Sequence, residues 1–201
     1  MLRVMADVST DDIKKLREMS GAGMMDCKKA LVETKGDVEK AAENLRKKGL
    51  VKAVKRMDRD TAVGRVFSYI HAGGSIGVLL QLNCETDFVA KNDDFEALGK
   101  DIAMQIAAAN PLALTAEDLD AEELKKEEAV YREQLAKEGK DEKTIEKIVP
   151  GKMKKYASEV CLMEQAYIKD PKMNMQDLVK QYIAKFGENI IVARFSRYQV
   201  G

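Results

Sequence analysis

The sequence predicts an α+β protein. A small three-helix N-terminal domain is followed by a core in which helices pack on a three-stranded antiparallel sheet. Three observations lead there. Residues 9–49 place apolar side chains at helical spacing between residues that cap helices. From Ala62 the pattern turns to alternation, with Gly73-Gly74 between two alternating runs, the mark of a hairpin. A final apolar run, Ile190 to Tyr198, follows a long helical insert and reads as a strand closing beside that hairpin.

Ser9-Thr-Asp-Asp12 offers N-caps for a first helix carrying Ile13, Leu16 and Met19 and closed by Ser20-Gly21. A second begins near Met24 and carries Cys27, Ala30 and Leu31 up to Gly36. Asp37 caps a third, with Val38, Ala41, Ala42 and Leu45 on one face and Arg46-Lys-Lys48 in its last turn, where cations suit the dipole. Gly49 is expected to end it, and the basic run Lys47 to Arg59 reads as a connector. In the hairpin, Val63, Phe67 and Tyr69 share one face of the first strand, Val66 and Ile70 the other, and Ser75 to Cys84 form the partner strand. A helix opening near Phe95 carries Leu98, Ile102, Ile106 and Ala109 and stops before Pro111. Residues 117–138 are charged and helical with sparse apolar positions (Leu124, Tyr131, Leu135), which predicts a solvent-rich hairpin or arm within 117–150. Gly139 and Pro150-Gly151 are expected to break it. Helices at roughly 152–167 and 174–186 and a turn at Gly187-Glu-Asn precede the last strand. There Val192 and Arg194 are expected on one face, with Ile191, Ala193 and Phe195 forming the apolar one.

At 201 residues, 45% apolar and 34% charged, the chain has the composition of an ordinary soluble protein of one or two domains. The natural division puts residues 1–55 in the three-helix domain and 56–201 in the core. No window holds the roughly 18 apolar residues of a membrane span, and Met1-Leu-Arg-Val-Met-Ala-Asp lacks a secretory apolar segment. A cytoplasmic protein with no membrane attachment is expected. Cys27, Cys84 and Cys161 are scattered and form no close pair, so buried thiols are expected rather than disulfides or a zinc site. Residues 1–58 hold 14 Lys/Arg against 10 Asp/Glu, whereas residues 85–147 hold 9 against 18. An acidic middle and a weakly basic head without interleaved aromatics disfavour direct binding of nucleic acid.

No cofactor loop is present: the glycines form neither a dinucleotide fingerprint nor a phosphate-binding loop. Gly21-Ala-Gly23 reads as a turn between helices. His71, the only histidine, borders the hairpin turn with no metal-ligand spacing around it, so a histidine-based nucleophile arrangement is not indicated. No metal site, no cofactor and no enzyme activity are expected. Two features point instead to partners. Asp87 and Phe88 stand on a strand-to-helix connection, where a rigid scaffold presents binding residues; alternatively, Phe88 folds back under the loop and Asp87 caps a turn. Met24 and Met25 are adjacent on a helix and cannot both face its core. They form a tolerant contact surface, or one is core and the other incidental. An adaptor whose helical domain binds another protein fits these features too.

The run Leu16-Arg-Glu-Met-Ser-Gly-Ala-Gly-Met-Met-Asp-Cys-Lys-Lys-Ala-Leu31 closely resembles the amino-terminal signature of bacterial translation elongation factor Ts. Asn83-Cys-Glu-Thr-Asp-Phe-Val-Ala-Lys91 resembles the second signature of that family, and Gly187-Glu-Asn-Ile-Ile-Val-Ala-Arg194 the start of its closing strand. The resemblance covers nearly the whole chain and fits the short form of the family. It implies a guanine-nucleotide exchange factor that releases GDP from elongation factor Tu. The residues matching the family's intruding pair are Asp87 and Phe88, which would perturb the Mg²⁺ and phosphate site of the partner. Arg17, Met24 and Met25 match residues that dock the amino-terminal, UBA-like domain on the same GTPase. Mg²⁺, GDP and GTP would belong to the partner. Short members pair, so a homodimer is implied as well.

Overall fold

The computed structural model describes residues 8–201; the amino-terminal stretch read above for a secretory segment lies outside them. The described residues form helices α1 (Thr10–Ser20), α2 (Met24–Glu33), α3 (Val38–Val54), α4 (Asp87–Ala90), α5 (Asp93–Ala109), α6 (Ala121–Lys137), α7 (Glu142–Val160) and α8 (Met175–Phe186). The strands are β1 (Val63–Ile70), β2 (Ile76–Cys84), β3 (Ala166–Tyr167), β4 (Asp170–Asn174) and β5 (Ile190–Gln199). The antiparallel sheet has the order β1-β2-β5, so the last strand does close beside the hairpin. Among the described residues no helix is long and apolar enough to cross a membrane. The chain divides into two compact units. One holds the described residues up to Gly64 with Asn83–Phe95 and Val179–Ile191; the other holds Arg65–Leu82, Glu96–Leu178 and Val192–Gly201.

In the first unit α1, α2 and α3 close around Ile13, Leu16, Cys27, Ala30, Leu31 and Ala41, the positions expected from the helical spacing. Ser9 caps α1 by accepting from the Asp12 amide, and Asp37 caps α3 by accepting from the Lys40 amide. Gly21, at φ +65°, ends α1 in the left-handed conformation that glycine adopts without strain. Two expectations fail here. Met19 is exposed rather than part of the core. Gly49 does not end α3, which runs on through residues read as a connector. The glycine serves packing instead: a Cβ at position 49 would stand 3.1 Å from the Cβ of Ala184 on α8. Closeness of two helices, not chain termination, explains it.

In the second unit β1 alternates as expected, with Phe67 buried and Val66 and Ile70 exposed. Its ring lies directly against α5 at Gly99, where an added Cβ would come within 2.5 Å of the ring carbons. Helix α5 buries Phe95, Leu98, Ile102 and Ile106 along one stripe. Beyond Gly139 the charged region continues as α7, which passes through Pro150-Gly151 rather than breaking there. Ile145 and Val149 precede the proline and Ala157 follows it, all buried and four or eight residues apart. Burial on both sides of Pro150 outweighs the hydrogen bond that it removes. The helix expected at 152–167 is not a separate element. At Leu162 and Met163 the backbone N–H groups donate to the carbonyls of Ala113 and Leu114, so the chain leaves the helix to pair there. The two-stranded β3-β4 sheet that follows was not expected. It is tied to α5 by the buried amide of Gln105, which donates to Gln165 Oε1 and the Ala166 carbonyl and accepts from the Ile168 amide.

The expected faces of β5 are also corrected. Ile190 and Val192 are buried and Ile191 is exposed, after which Ala193, Phe195 and Arg197 become the partly covered positions. The burial changes phase between Val192 and Ala193, so the face that strict alternation makes apolar is not the covered one at Ile191 and Val192. Arg197 uses its covered position to donate to the Ala107 carbonyl at 3.3 and 3.1 Å, a cation at the carbonyl end of α5.

The two close glycines give an ordered prediction. Gly99→Ala must displace a buried ring, and overpacking of this kind costs roughly 1–3 kcal/mol. Gly49→Ala meets only a methyl group, and a helix-propensity gain of about 1 kcal/mol offsets it. In urea titrations Gly99→Ala should lower the unfolding midpoint clearly more than Gly49→Ala; the reverse order would contradict the packing described.

A candidate partner-binding surface

Strand β2 ends at Cys84, whose buried thiol donates to the Thr86 carbonyl at 3.2 Å. Thr86 is extended, at φ −128° and ψ 159°, and its hydroxyl accepts from the Val89 amide, so it caps α4. Helix α4 is one turn long. It buries Val89 and Ala90 and leaves Phe88 83% exposed. Adjacent helical residues point about 100° apart, so a turn that anchors itself through Val89 and Ala90 must aim Phe88 elsewhere. The reading in which Phe88 packs under the loop does not hold. Asp87 lies beside it, its carboxylate bonded to Lys91 Nζ at 2.8 Å. The hydrogen bond from Lys91 holds the Asp87 carboxyl below its ordinary range.

Acidic residues from two distant stretches of sequence fasten this turn. Glu188 accepts from the Thr86 amide at 3.0 Å and from the Thr86 hydroxyl at 2.7 Å. Glu85 in return accepts from the Asn189 amide at 2.6 Å and from Arg59 at 3.4 Å. Asn189, fully buried, donates through Nδ2 to the carbonyls of Met57 and Arg59 at 2.9 and 2.7 Å. Sequence reasoning missed Glu85, Thr86, Glu188 and Asn189. All four lie in the two stretches that resemble family signatures, but local pattern does not join turns about a hundred positions apart.

Arg17, Met24 and Met25 stand on α1 and α2, on either side of the Gly21-Ala-Gly23 turn. Arg17 is exposed on α1, its carbonyl accepting from the Gly21 amide. Met24 is 43% and Met25 76% exposed, so neither is a core methionine, and Met19 adds a third exposed thioether near the turn. These residues occupy different elements from Asp87 and Phe88, which share α4. A cavity of about 940 Å³ in the same unit is lined by none of the five. Projecting side chains on rigid elements suit contact with a protein rather than enclosure of a small molecule.

Burial raises the thiol pKa of Cys84 and pushes Cys161 up to about 11, so both stay protonated and weakly nucleophilic. All three cysteines are buried and free, as expected. His71 is exposed, its Nδ1 3.1 Å from the Tyr69 hydroxyl. Among the described residues no group of three His, Cys, Asp or Glu is placed to hold a metal ion.

Comparison with known proteins gives a consistent result. A family model described as Elongation factor TS matches residues 2–201. The elongation factor Ts of Leptospira biflexa is 56% identical over 96% of this chain and 98% of its own length. Those of Desulforamulus reducens and Oleidesulfovibrio alaskensis are each 54% identical over 98% of this chain, covering 91% and 100% of theirs.

The geometry separates residues that hold the surface from residues that it displays. Asn189→Ala removes from a buried site both donors to the Met57 and Arg59 carbonyls, which costs about 1–3 kcal/mol. Phe88→Ala truncates a solvated side chain and should stay within about 0.5 kcal/mol of the parent. Thermal unfolding of both variants checks this. A large drop for Phe88→Ala would mean that its ring supports the fold.

Proposed function

The chain belongs to the elongation factor Ts family, guanine-nucleotide exchange factors of elongation factor Tu and not enzymes. On that premise we propose that Asp87 and Phe88 are the pair that intrudes on the GTPase, between its helices, and loosens the Mg²⁺ and phosphate site from outside. The observation that carries this reading is a phenylalanine 83% exposed on a braced one-turn helix. A large aromatic left in water is costly to keep there and gains most when a partner covers it. Asp87 brings a carboxylate next to it, and the hydrogen bond from Lys91 favours its ionised form. Close to a phosphate site, that charge repels the nucleotide and competes for the groups that hold the ion. GDP release then follows from linkage: a partner that binds the empty GTPase more tightly than the GDP form weakens GDP by the same factor. Mg²⁺ and nucleotide are ligands of the GTPase, so this chain needs no cofactor of its own.

Arg17, Met24 and Met25 have a different part in this proposal. They dock the three-helix, UBA-like domain of residues 1–55 on the GTPase and contribute affinity rather than release. The residues beyond it, 56–201, form the core domain that carries the intruding pair. Two exposed, apolar, unbranched side chains and an exposed guanidinium on one small domain have the composition of an adaptable protein contact.

With fluorescent GDP bound to elongation factor Tu, Phe88→Ala should lower the maximal release rate by at least tenfold. A buried aromatic at an interface centre is worth about 2 kcal/mol or more. Met24→Ala/Met25→Ala should instead raise the concentration needed for half the effect and leave the maximal rate near the parent's. Unimpaired release with Phe88→Ala would refute the intruding-pair reading; a lowered maximal rate with the methionine pair would refute the division of labour.

Self-association belongs to the same proposal. Val66, Ile70, Leu79 and Tyr198 are exposed on one face of the β1-β2-β5 sheet, by alternation the face opposite Phe67 and Leu80. On β5, Val192 is already buried and Phe195 partly covered, so neither adds to this exposed set. A twofold homodimer would close the four exposed side chains against their copies. Light scattering across a dilution series should show a dimer mass that Leu79→Lys abolishes, and a monomer at high micromolar concentration would refute it.

A further inference from the structure

We infer that Glu188 is a positioning residue for nucleotide exchange, acting on Phe88 through Thr86. The inference rests on the reading of Asp87 and Phe88 as the intruding pair and extends it to the Gly187-Glu188-Asn189 turn, which that reading leaves without a part.

Helix α4 has only four residues, too few to persist by itself, because the first turn of a helix fixes several dihedrals for one hydrogen bond. Its downstream end is held by burial of Val89 and Ala90. The upstream end depends on Thr86, the residue directly before the pair. Thr86 has two donors, its amide and its hydroxyl, and both go to the two oxygens of Glu188, at 3.0 and 2.7 Å. A hydroxyl whose hydrogen points at Glu188 has its lone pairs free for the Val89 amide, which donates to it at 3.5 Å. Glu188 thus sets the rotamer in which Thr86 caps the turn that carries Phe88.

Glu188 can do this because its own backbone is fixed. Gly187, at φ +76°, closes α8 with its amide on the Ile183 carbonyl. On the other side Asn189 is buried, with its amide on Glu85 and its side chain on Met57 and Arg59. The two segments therefore exchange carboxylate-to-amide bonds in both directions, Glu188 to Thr86 and Glu85 to Asn189. Bonds that involve an ionised acceptor are shorter and stronger than neutral ones. The turn is ordered before a partner arrives, so the ordering is not taken out of the binding energy, and Phe88 meets the GTPase in one orientation.

The test is a double-mutant cycle in fluorescent GDP release from elongation factor Tu, using the full chain. Glu188→Ala should lower the maximal release rate on the order of tenfold, the scale of losing bonds to a charged acceptor, while the half-effect concentration stays within about threefold. Combined with Phe88→Ala it should add nothing, since a positioning residue has no effect once the side chain it positions is gone. Glu188→Gln keeps the volume and one acceptor oxygen and should give an intermediate rate. It carries the same comparison if the alanine variant does not fold. Additive losses, or a parental rate for both Glu188 variants while Phe88→Ala is slow, would overturn the inference. So would a lowered melting temperature with an unchanged release rate, the result of a role confined to folding. If Phe88→Ala itself released GDP at full speed, the intruding-pair reading would fail first, and the two failures are told apart.

Discussion

Phe88 can remain in water because the backbone on both sides of it is held by groups that have nowhere else to go. Buried main-chain donors must be satisfied, and here the amides of Thr86 and Asn189 are satisfied by carboxylates from the opposite segment. That exchange joins β2 to the start of β5 at the point where both leave the sheet. It turns a connection that would otherwise wander into a fixed platform. Burial of Val89 and Ala90, the cap by Thr86 and the outward aim of Phe88 all follow from it. An exposed aromatic on a loose loop would find apolar cover; on a braced turn it cannot reach any.

The fold was legible in the sequence where local and tertiary demands agree. Ser9, Gly21 and Asp37 cap helices for reasons contained within a few residues, and the three-helix cluster follows from spacing alone. The hairpin turn at Gly73 and Gly74 takes positive φ as expected. Reading failed where packing overrules propensity. Gly49 looks like a stop because glycine weakens helices, yet it lies within α3 where another helix approaches. Pro150 looks like a break, yet apolar residues on either side keep α7 continuous. The phase change in β5 and the exit at Leu162 both depend on partners remote in sequence. The same limit applies to the surface. Period and composition left Phe88 and the methionine pair open between core and contact. Their exposure shows that none of the three is a core residue, while the pairing of Glu85 and Glu188 across a hundred positions leaves no local pattern to read.

The chemistry of the side chains fits the same picture. The three thiols are buried and two of them are pushed away from ionisation, so they fill space rather than react. Apart from the braced turn, most ion pairs join solvated residues one helical turn apart, as Glu133 with Lys137 and Lys125 with Glu122 on α6. Such pairs contribute little each. The fold depends on apolar burial and a few buried amides, among them Gln105, Gln165 and Asn189. Gln105 and Gln165 bond to each other and otherwise to main-chain groups that strands and helices leave over.

Helices α6 and α7 share one apolar cluster near their joining turn, and a second forms where α7 meets residues outside both helices. Leu135, Ile145 and Val149 lie toward the Gly139 end, and Ala113, Leu119, Ala157 and Cys161 lie at the base. Because the outer cluster is made within the hairpin, whole turns can be added to or removed from both helices together without disturbing the base. Adding to one helix alone would slide its apolar stripe past the other. The length of this hairpin is thus a modular dimension, free to vary in matched steps of about seven residues per helix, two turns that restore the facing stripe. For protein engineering the Gly139 turn is the natural place to graft a peptide or a second domain, since its glycine faces open space.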